Sequence, residues 1–349
     1  MKDSSKEKIL VLGYFGYETN QLDGQTVKTR NIFSLLKEYI ENIDLYFFDT
    51  QVFQSSKLNL ILMFRKIYKV DTLVYIPAHN NLRFFFPFIY ILCRIKNIDI
   101  IYVVVGGWLS DFIKDKWILK TFLKRIKVIL PQTEALTHNL RQMYGYENVC
   151  TLHNFRITDF KPTTPVKRTE PIIRLVFMAR VCKMKGIETI LELAKKLEKQ
   201  WGDKSEVIID FFGTIKSDEE DFFFQKLTET STANYRGILQ PNEIHDRLSE
   251  YDVLLLPTRY FTEGLPGSIL DAYIAGIPVV VSEWKYAREF VDDGESGLIA
   301  EWGNEMDFIN KTMDLMDNDE LLLKLKFGAH KKSLQYSAQK AATILTEYL

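Results

Sequence analysis

Two carboxylates eight residues apart are the side chains whose types and spacing point most directly to chemistry. Glu263 ends a loop that follows the apolar run 252–256, and Asp271 lies one turn into the helix that Pro266 and Gly267 are expected to begin. Carboxylates accept hydrogen bonds from hydroxyl groups, and N–H groups at a helix N-terminus bind phosphate oxygens. A lone Glu would be interpreted as a solvent-exposed cap. The combination instead predicts a site for a phosphate-linked ligand with hydroxyl groups at both ends.

A short basic segment forms the second candidate. Arg180 and Lys185 lie between the apolar run 175–178 and a predicted helix, and Gly186 follows directly. Arginine offers phosphate oxygens a planar fork of donors, and lysine offers a point charge. A solvated basic loop is the ordinary alternative. The position after a strand and before a helix favours a diphosphate site.

A glycine-containing turn near the N-terminus is a weaker candidate. Gly13 and Gly16 follow the first predicted strand, but the GxGxxG pattern of dinucleotide-binding sites is absent, so NAD binding is not expected. Gly24 is expected to open the next helix, where N–H groups could receive phosphate or sugar hydroxyls. Asp23 and Gly24 are equally compatible with a simple N-cap and turn.

The elements that must position these residues alternate between strands and helices. Apolar strand-like runs are separated by segments of helical spacing, which predicts parallel sheets covered on both faces. The alternation restarts after a proline-containing stretch, so we expect an α/β domain over 1–160, a linker over 161–171 and a second α/β domain over 172–330. The pattern further predicts a strand over 148–152 and single helices over 82–96, 115–125 and 319–348.

Composition excludes several classes of protein. The chain has 349 residues, is 46% hydrophobic and has a net charge of −1, which argues against overall disorder and against a general polyanion binder. Three cysteines without a CxxC pair argue against a disulfide framework, and five histidines without HxxxH or HExxH spacing argue against a zinc site. The N-terminus lacks the apolar stretch of a signal peptide, and the apolar run 84–93 is too short to cross a bilayer. We therefore expect a cytoplasmic protein.

Charge is concentrated in residues 57–127, which contain 13 basic and 4 acidic residues. Two helix-like segments in this stretch, 58–69 and 82–96, combine apolar bulk with basic ends, as surface helices on anionic lipid do. The alternative is a pair of ordinary sheet-packing helices with solvated basic residues. Because the aromatic residues cluster in apolar runs and do not alternate with basic ones, nucleic acid binding is not expected. A peripheral position on the inner membrane face remains open.

Taken together, the candidate motifs resemble those of family 4 retaining glycosyltransferases (glycosyl transferases group 1). Glu263 and Asp271 resemble the family's Glu-x7-Glu signature, and Arg180 with Lys185 and Gly186 resembles its Arg-x4-Lys-Gly element. Gly237 and the run 293–298 follow in the family's order. The resemblance implies the GT-B fold, in which two Rossmann-like domains face each other across a cleft. It also implies that the C-terminal helical tail, 331–349, crosses back to the N-terminal domain.

The resemblance implies roles for individual residues. Glu263 would bind hydroxyl groups of the donor sugar, and Asp271, where the family usually has Glu, would hold the ribose hydroxyls. Arg180 and Lys185 would neutralise the leaving diphosphate, so that Glu263, Arg180 and Lys185 form the catalytic set. The other donor-side candidates are the backbone of Gly264, Leu265, Pro266, Gly267 and Ser268, together with Gly237 and Gly24.

The acceptor side departs from the family pattern. The family often has a His after the fourth strand of the N-terminal domain, where this chain has Gly107 and Trp108. Backbone at Gly107, or Asp111, could fill that role. His79, in the loop after the third strand, is a possible substitute, although a lone loop histidine is more often an ordinary polar residue on the surface.

The implied activity is retaining, metal-independent transfer of a sugar from a nucleotide-diphosphate sugar, with a UDP-sugar as the expected donor. The implied acceptor is a glycan, lipid-linked in cell-envelope or surface polysaccharide synthesis. No cofactor and no metal ion are expected, because no DxD-like loop is found and the basic residues take the charge of the leaving group. The alternatives are another GT-B enzyme, such as a nucleotide-sugar epimerase or a phosphorylase, and a non-catalytic binding relic. A relic should have lost the basic residues that this chain keeps.

Overall fold

A computed structural model describes residues 6–19, 23–53, 58–167, 172–201 and 207–349, without the side chain of Trp201. The chain forms two compact units, one from residues 1–157 with 336–349 and one from 158–335. The N-terminal part of the first unit thus ends three residues before the predicted domain end at 160, and the second unit extends five residues beyond the predicted end at 330. Part of the predicted linker, residues 168–171, lies outside the described residues, as does residue 57 of the basic stretch.

The first unit is built on a five-stranded parallel sheet with the order β2-β1-β3-β4-β5. The strands are β1 (Glu7–Gly13), β2 (Ile43–Asp49), β3 (Thr72–Ile76), β4 (Asp99–Val103) and β5 (Val128–Leu130). The helices are α1 (Gly24–Tyr39), α2 (Asn59–Ile67), α3 (His79–Phe84), α4 (Phe86–Lys96), α5 (Leu109–Ile113), α6 (Trp117–Leu123) and α7 (Glu134–Tyr144).

The second unit is built on a six-stranded parallel sheet with the order β11-β10-β9-β6-β7-β8. The strands are β6 (Ile173–Met178), β7 (Val207–Phe212), β8 (Ala233–Tyr235), β9 (Val253–Leu256), β10 (Val279–Ser282) and β11 (Gly297–Ala300). The helices are α8 (Ile187–Trp201), α9 (Glu220–Leu227), α10 (Ile244–Leu248), α11 (Gly267–Ala275), α12 (Ala287–Phe290), α13 (Glu305–Met316) and α14 (Asp319–Ser333). The last helix of the chain, α15 (Ala338–Thr346), belongs to the first unit.

The prediction of two α/β units with parallel sheets is confirmed, whereas several element predictions are wrong in detail. The predicted strand 148–152 is reduced to a single bridge between Ile129 and Val149. The predicted helix 82–96 is interrupted at Phe85, ahead of Pro87 in the first turn of α4. The predicted helix 115–125 shortens to α6. The predicted helix 319–348 breaks before Ser337, which caps α15 by accepting a hydrogen bond from the Lys340 N–H.

The sheet of the first unit buries apolar side chains on both faces. One face packs against α2 to α7 through residues such as Met63, Ile89 and Leu123. The other packs against α1 and α15, where Leu35 and Leu345 are fully buried. Continuous apolar strands covered on both sides are the expected form of a parallel sheet. Within the described ranges, none of the helices combines the length and the hydrophobicity required to cross a bilayer.

Helix α1 also carries a buried lysine. The Lys28 side chain is buried, and its Nζ donates to the carbonyl oxygens of Leu152 at 3.3 Å and His153 at 3.2 Å. Asn31, one turn further, donates to the carbonyl of Phe155 at 3.1 Å. The helix thereby fixes the segment that leads out of the first unit. Burial, together with the nearby Arg156 guanidinium, lowers the pKa of Lys28 to about 7.

The lowered pKa of Lys28 predicts a specific dependence of stability on pH. Below pH 7 Lys28 is charged in both the folded and the unfolded chain, and the cost of burying that charge is fully present. Between pH 7 and the ordinary value of 10.5 only the unfolded chain binds the proton, so folding becomes more favourable as the pH rises. Relative to Lys28→Met, the wild type should gain about 5 kcal/mol across this range. Urea unfolding of both proteins at pH 6, 8 and 10 measures it, and a constant difference would contradict the prediction.

Gly186 is required by a close approach between two loops of the second unit. It ends the short 3₁₀ turn Lys183–Lys185 with φ of +79°, and a Cβ built on it would lie 1.9 Å from the carbonyl oxygen of Pro257. We expect Gly186→Ala to destabilise the protein by more than the ~1–2 kcal/mol that a left-handed conformation alone costs an L-residue. Gly303→Ala is the matched control, because φ there is +76° and no described atom lies within 4 Å of the position that the new methyl group would take. Equal shifts of the urea midpoint in the two variants would show that the close contact is unimportant.

Candidate active site

The loops that follow β6 and β9 bring the two predicted motifs together. These strands are neighbours in the sheet of the second unit, so their carboxyl ends lie side by side. The backbone N–H of Arg259, after β9, donates to the carbonyl of Met184, after β6, at 2.9 Å. This bond and the Gly186 contact with Pro257 hold the two loops against each other.

Lys185 and Glu263 form an ion pair across these loops. Their side chains are 19% and 20% exposed, so the pair is largely shielded but still open to solvent. The Thr258 hydroxyl donates to the same carboxylate oxygen of Glu263 at 3.4 Å, and the Tyr260 ring centroid lies 5.9 Å from the Lys185 ammonium. Two residues that are 78 positions apart in the chain therefore share one site. Each of them has further hydrogen-bonding capacity for a ligand.

Arg180 is a second cation at the same edge of the sheet. It lies two residues beyond the end of β6, is exposed and has no ion pair or hydrogen bond to any described residue. Its neighbour Lys183 differs, because its ammonium lies 3.8 Å from the Glu188 carboxylate and 3.9 Å from the Phe222 ring centroid. In the basic segment, Lys183 thus contacts Glu188 and Phe222, Lys185 is paired with Glu263, and Arg180 is available to bind an anion.

Helix α11 presents its N-terminus directly after the Glu263 loop. Pro266, at the N-cap position, precedes the helix with extended backbone and supplies no side-chain cap. The Ser268 N–H likewise has no hydrogen-bond partner in the described part of the chain. Uncapped N–H groups at a helix N-terminus attract anions. Of the donor-side backbone candidates, Gly264, Leu265, Pro266 and Ser268 are buried, and Gly267 is half-buried.

Asp271 contacts a histidine that the sequence analysis did not select. Its carboxylate is buried and lies 3.1 Å from His245 Nε2, while His245 Nδ1 lies 3.2 Å from the Thr158 hydroxyl. The ring of Phe160 lies 5.7 Å from the histidine ring. Nothing in the spacing of His245 and Asp271 signals this contact, because they lie on separate helices, α10 and α11, 26 residues apart.

Gly237 lies in a chain of contacts at the ends of three strands. Its carbonyl accepts a hydrogen bond from the Gly213 N–H at 2.9 Å, and a Cβ on Gly213 would lie 1.9 Å from the carbonyl oxygen of Ala179. The sequence analysis missed Gly213, although a glycine directly after a strand was available as a signal. At Gly237 φ is +85°, and a Cβ added there would meet no described atom within 4 Å, so space remains at this position.

In the first unit, Gly24 is the first residue of α1. Asp23 caps the helix, since its carboxylate accepts hydrogen bonds from the Thr26 N–H at 2.9 Å and from the Thr26 hydroxyl at 3.0 Å. Gly24 itself is exposed, and a Cβ built on it would have no atom of the described residues within 4 Å. The simple N-cap and turn describes the local structure.

The acceptor-side candidates come together at the ends of β3 and β4. The His79 ring stacks on Trp108 with a centroid distance of 3.6 Å, and Phe112 packs edge-on against both rings. The Trp108 indole N–H donates to the carbonyl of Val105, and burial lowers the pKa of His79. Gly107 precedes this cluster, and Asp111 is exposed on α5. Burial thus favours the neutral form of His79, and aromatic contacts hold its ring.

We searched the described parts of the chain for side chains that could bind a metal ion. No group of three or more His, Cys, Asp or Glu side chains is placed there to hold an ion.

Comparisons with known proteins all identify glycosyltransferases as similar to this chain. Residues 159–332 match the family described as glycosyl transferases group 1. Poly(ribitol-phosphate) alpha-N-acetylglucosaminyltransferase of Staphylococcus aureus is 23% identical over 236 residues, which cover 67% of this chain and 45% of the relative. N,N'-diacetylbacillosaminyl-diphospho-undecaprenol alpha-1,3-N-acetylgalactosaminyltransferase of Campylobacter jejuni is 26% identical over 167 residues, which cover 48% and 41%. The matches thus span less than half the length of these two relatives.

The fold of the whole chain also has a solved counterpart. The crystal structure of Anabaena HepE in complex with UDP and glucose superimposes with a TM-score of 0.75 and 14% identity over 98% of each chain. At this identity the likeness shows the GT-B fold, and the family match covers the unit that contains Glu263, Arg180 and Lys185. The chain belongs to the group 1 glycosyltransferases.

Proposed function

We propose that this glycosyltransferase moves a sugar from a UDP-sugar to a lipid-linked glycan in cell-envelope polysaccharide synthesis, with retention of anomeric configuration and without a metal ion. The observation that carries the proposal is the meeting of Lys185 and Glu263 at the carboxyl ends of adjacent strands, beside Arg180 and the N-terminus of α11. Cations, N–H donors and a carboxylate in one place match the parts of a sugar diphosphate.

The chemistry follows from where charge develops. As the bond between the sugar and the diphosphate breaks, negative charge grows on the departing phosphate and positive charge on the sugar ring. Arg180, Lys185 and the first N–H groups of α11 would stabilise the phosphate, as donors aimed at developing charge do in general. Glu263 would accept hydrogen bonds from the sugar hydroxyls. The departing phosphate would take the proton of the attacking acceptor hydroxyl, so that attack and departure occur on the same face of the sugar.

Names of similar proteins support the choice of substrates. The S. aureus relative is named as an N-acetylglucosaminyltransferase and the C. jejuni relative as acting on a diphospho-undecaprenol glycan. The Anabaena structure with the same fold contains UDP and glucose. The UDP in the Anabaena structure supports the choice of a UDP-sugar donor, and the name of the C. jejuni relative supports the choice of a diphosphate-linked lipid acceptor.

Nucleotide binding tests the donor side. Titration calorimetry with UDP, GDP, ADP, dTDP and CMP should give tight binding of UDP alone. Arg180→Ala and Lys185→Ala should each weaken it by about 10- to 100-fold, because a charge-assisted hydrogen bond is worth about 1.5–3 kcal/mol. Lys183→Ala is the matched control, since this lysine lies in the same loop but is engaged by Glu188. An equal loss in the control, or no binding of any nucleotide, would contradict the proposed donor site.

Glu263→Gln tests the sugar side. The substitution keeps the shape but removes the charge, and it frees Lys185 from its ion pair. We therefore expect UDP affinity to be kept or raised, while kcat for sugar transfer falls by about 10²- to 10³-fold, the range seen when charge stabilisation is lost in an active site. The assay follows UDP release from UDP-glucose and UDP-N-acetylhexosamines with a synthetic polyprenyl-diphosphate sugar as acceptor.

Further arms of the same assay test metal independence, retention of configuration and the requirement for an acceptor. Glu283→Gln, a surface carboxylate paired with Arg288, should leave kcat unchanged. Activity kept in EDTA supports metal independence, and the anomeric coupling constant of the product reports retention. Wild-type kcat in Glu263→Gln would remove this residue from the chemistry. Conversion of the UDP-sugar without any acceptor would identify an epimerase.

A further inference from the structure

The first unit presents an apolar surface that packing within the described chain does not use. Helices α2, α3, α4 and α6 cover the same face of its sheet, because residues of all four lie in one buried cluster. They are also in direct contact with each other. Tyr90 on α4 stacks on Phe122 of α6 at 4.2 Å, and the Lys96 ammonium lies 3.9 Å from the ring of Tyr68, the residue that ends α2.

Helix α4 is apolar on both its inner and its outer side. Its inner side is buried against the sheet. The outer side continues from the end of α3 as a stripe in which Phe84, Phe88, Ile91 and Ile95 follow at helical spacing. Phe88 is 64% exposed and Ile95 is 73% exposed. Apolar residues on both sides of a helix are typical of a helix that is covered on both sides, so the outer stripe of α4 is open to a partner.

The neighbouring helices also expose large apolar side chains. Leu58 is 74% exposed ahead of α2, and Trp117 is 71% exposed at the start of α6. We define the apolar face as the exposed residues Leu58, Ile61, Leu62, Phe84, Phe88, Ile91, Ile95, Trp117 and Ile118. Large contiguous apolar surfaces on a folded protein mark sites of protein or membrane interaction.

The charges within the four helices that carry the apolar face are of one sign. Helices α2, α3, α4 and α6 contain no Asp or Glu. Their basic residues lie in or near the last turns, as with Arg65 on α2 and Arg94 on α4, and all of them except the half-buried Lys120 are exposed. Apolar side chains bordered by Lys and Arg, with no acids in these four helices, are complementary to the hydrocarbon and phosphate layers of an anionic membrane.

A groove beside the apolar face also combines apolar and basic side chains. It lies between β2 and α2 and has a volume of about 510 Å³. Phe47, Phe48 and Leu62 supply apolar walls, and Arg65, Lys66 and Lys69 supply cations. Asp49 also lines it, but its carboxylate accepts hydrogen bonds from the N–H groups of Phe15 and Gln51. An anionic headgroup on an aliphatic stem fits such a groove.

We propose that the apolar face docks on an anionic lipid bilayer, with its apolar side chains in the headgroup boundary and the basic residues on lipid phosphates. This deepens the expectation from the 57–127 charge excess by naming the inserted residues, and it is independent of the proposed donor site. A second copy of the chain is the poorer occupant, because a symmetric contact would place the like-charged rims of two copies against each other.

Vesicle flotation with the full chain tests the proposal. The wild type should float with vesicles of phosphatidylcholine containing about 30% phosphatidylglycerol, a charged surface of the kind that attracts basic residues, and stay behind with phosphatidylcholine alone. Phe88→Ser/Ile95→Ser should lower the partition coefficient at least about tenfold, since two large apolar side chains no longer leave water. Arg65→Gln/Lys69→Gln/Arg94→Gln should lower it by about a hundredfold, given the usual contribution of a basic residue near an anionic surface.

Matched controls separate a local surface from general stickiness. Phe327→Ser/Leu334→Ser removes two exposed apolar side chains of the second unit, and Lys37→Gln/Lys331→Gln/Lys340→Gln removes three exposed charges elsewhere. Both should float as the wild type does. All variants should keep wild-type circular dichroism and UDP binding, so that a loss of flotation is not a loss of folding or of the donor site.

Trp117 gives a second readout that needs no destabilising variant. Its emission should shift to the blue and be quenched by brominated lipid in anionic vesicles, and Trp117→Phe should remove that signal. Equal flotation on neutral and anionic vesicles, no flotation at all, or unchanged flotation of Phe88→Ser/Ile95→Ser would overturn the proposal. A wild-type dimer that dissociates in Phe88→Ser/Ile95→Ser without binding vesicles would also overturn it and assign the face to self-association.

Discussion

The close approach of the loops after β6 and β9 is the constraint on which the candidate active site depends. Gly186 passes so near the Pro257 carbonyl that no side chain fits, and this brings Lys185 to Glu263. A charge that is four-fifths shielded is costly unless paired, so each residue neutralises the other when no ligand is present. In the mechanism that we propose, a diphosphate that binds Lys185 would release Glu263 for sugar hydroxyls, which would link recognition of the two halves of one donor.

The two faces of the first unit's sheet are covered by helices that differ in how much apolar surface they leave exposed. The α1 and α15 face is closed within the chain, since α15 returns from the end of the sequence to cover it and Lys28 ties α1 to the segment that leaves the unit. The opposite face is closed only on its inner side. Helices α2, α3, α4 and α6 on this face bury some of their apolar side chains in the core and leave others exposed to solvent.

Much of this could be predicted from the sequence, and the failures have physical causes. The strands, their parallel pairing and the Lys185 and Glu263 motifs follow from local patterns, because a strand's apolar run and the glycine or proline after it are local properties. The contact between His245 and Asp271 is not local and has no pattern. Apolar periodicity shows that α4 has two apolar sides, but only the packing shows which of them the sheet covers. The break before Ser337 has a capping serine as its signal, which the helical spacing around it obscures.

The contact between Asp271 and His245 helps to fix α11, whose N-terminus is part of the donor site that we propose. A buried carboxylate must be paired, and Asp271 is paired with a histidine that is itself held by Thr158, the first residue of the second unit. At the other end of α11, a Cβ on Gly276 would lie 3.2 Å from the Pro162 side chain. The segment 158–162 thus supports α11 at Asp271, through His245, and at Gly276. Donors that are fixed before the ligand arrives need no reorganisation when charge develops, which is the condition for effective electrostatic stabilisation.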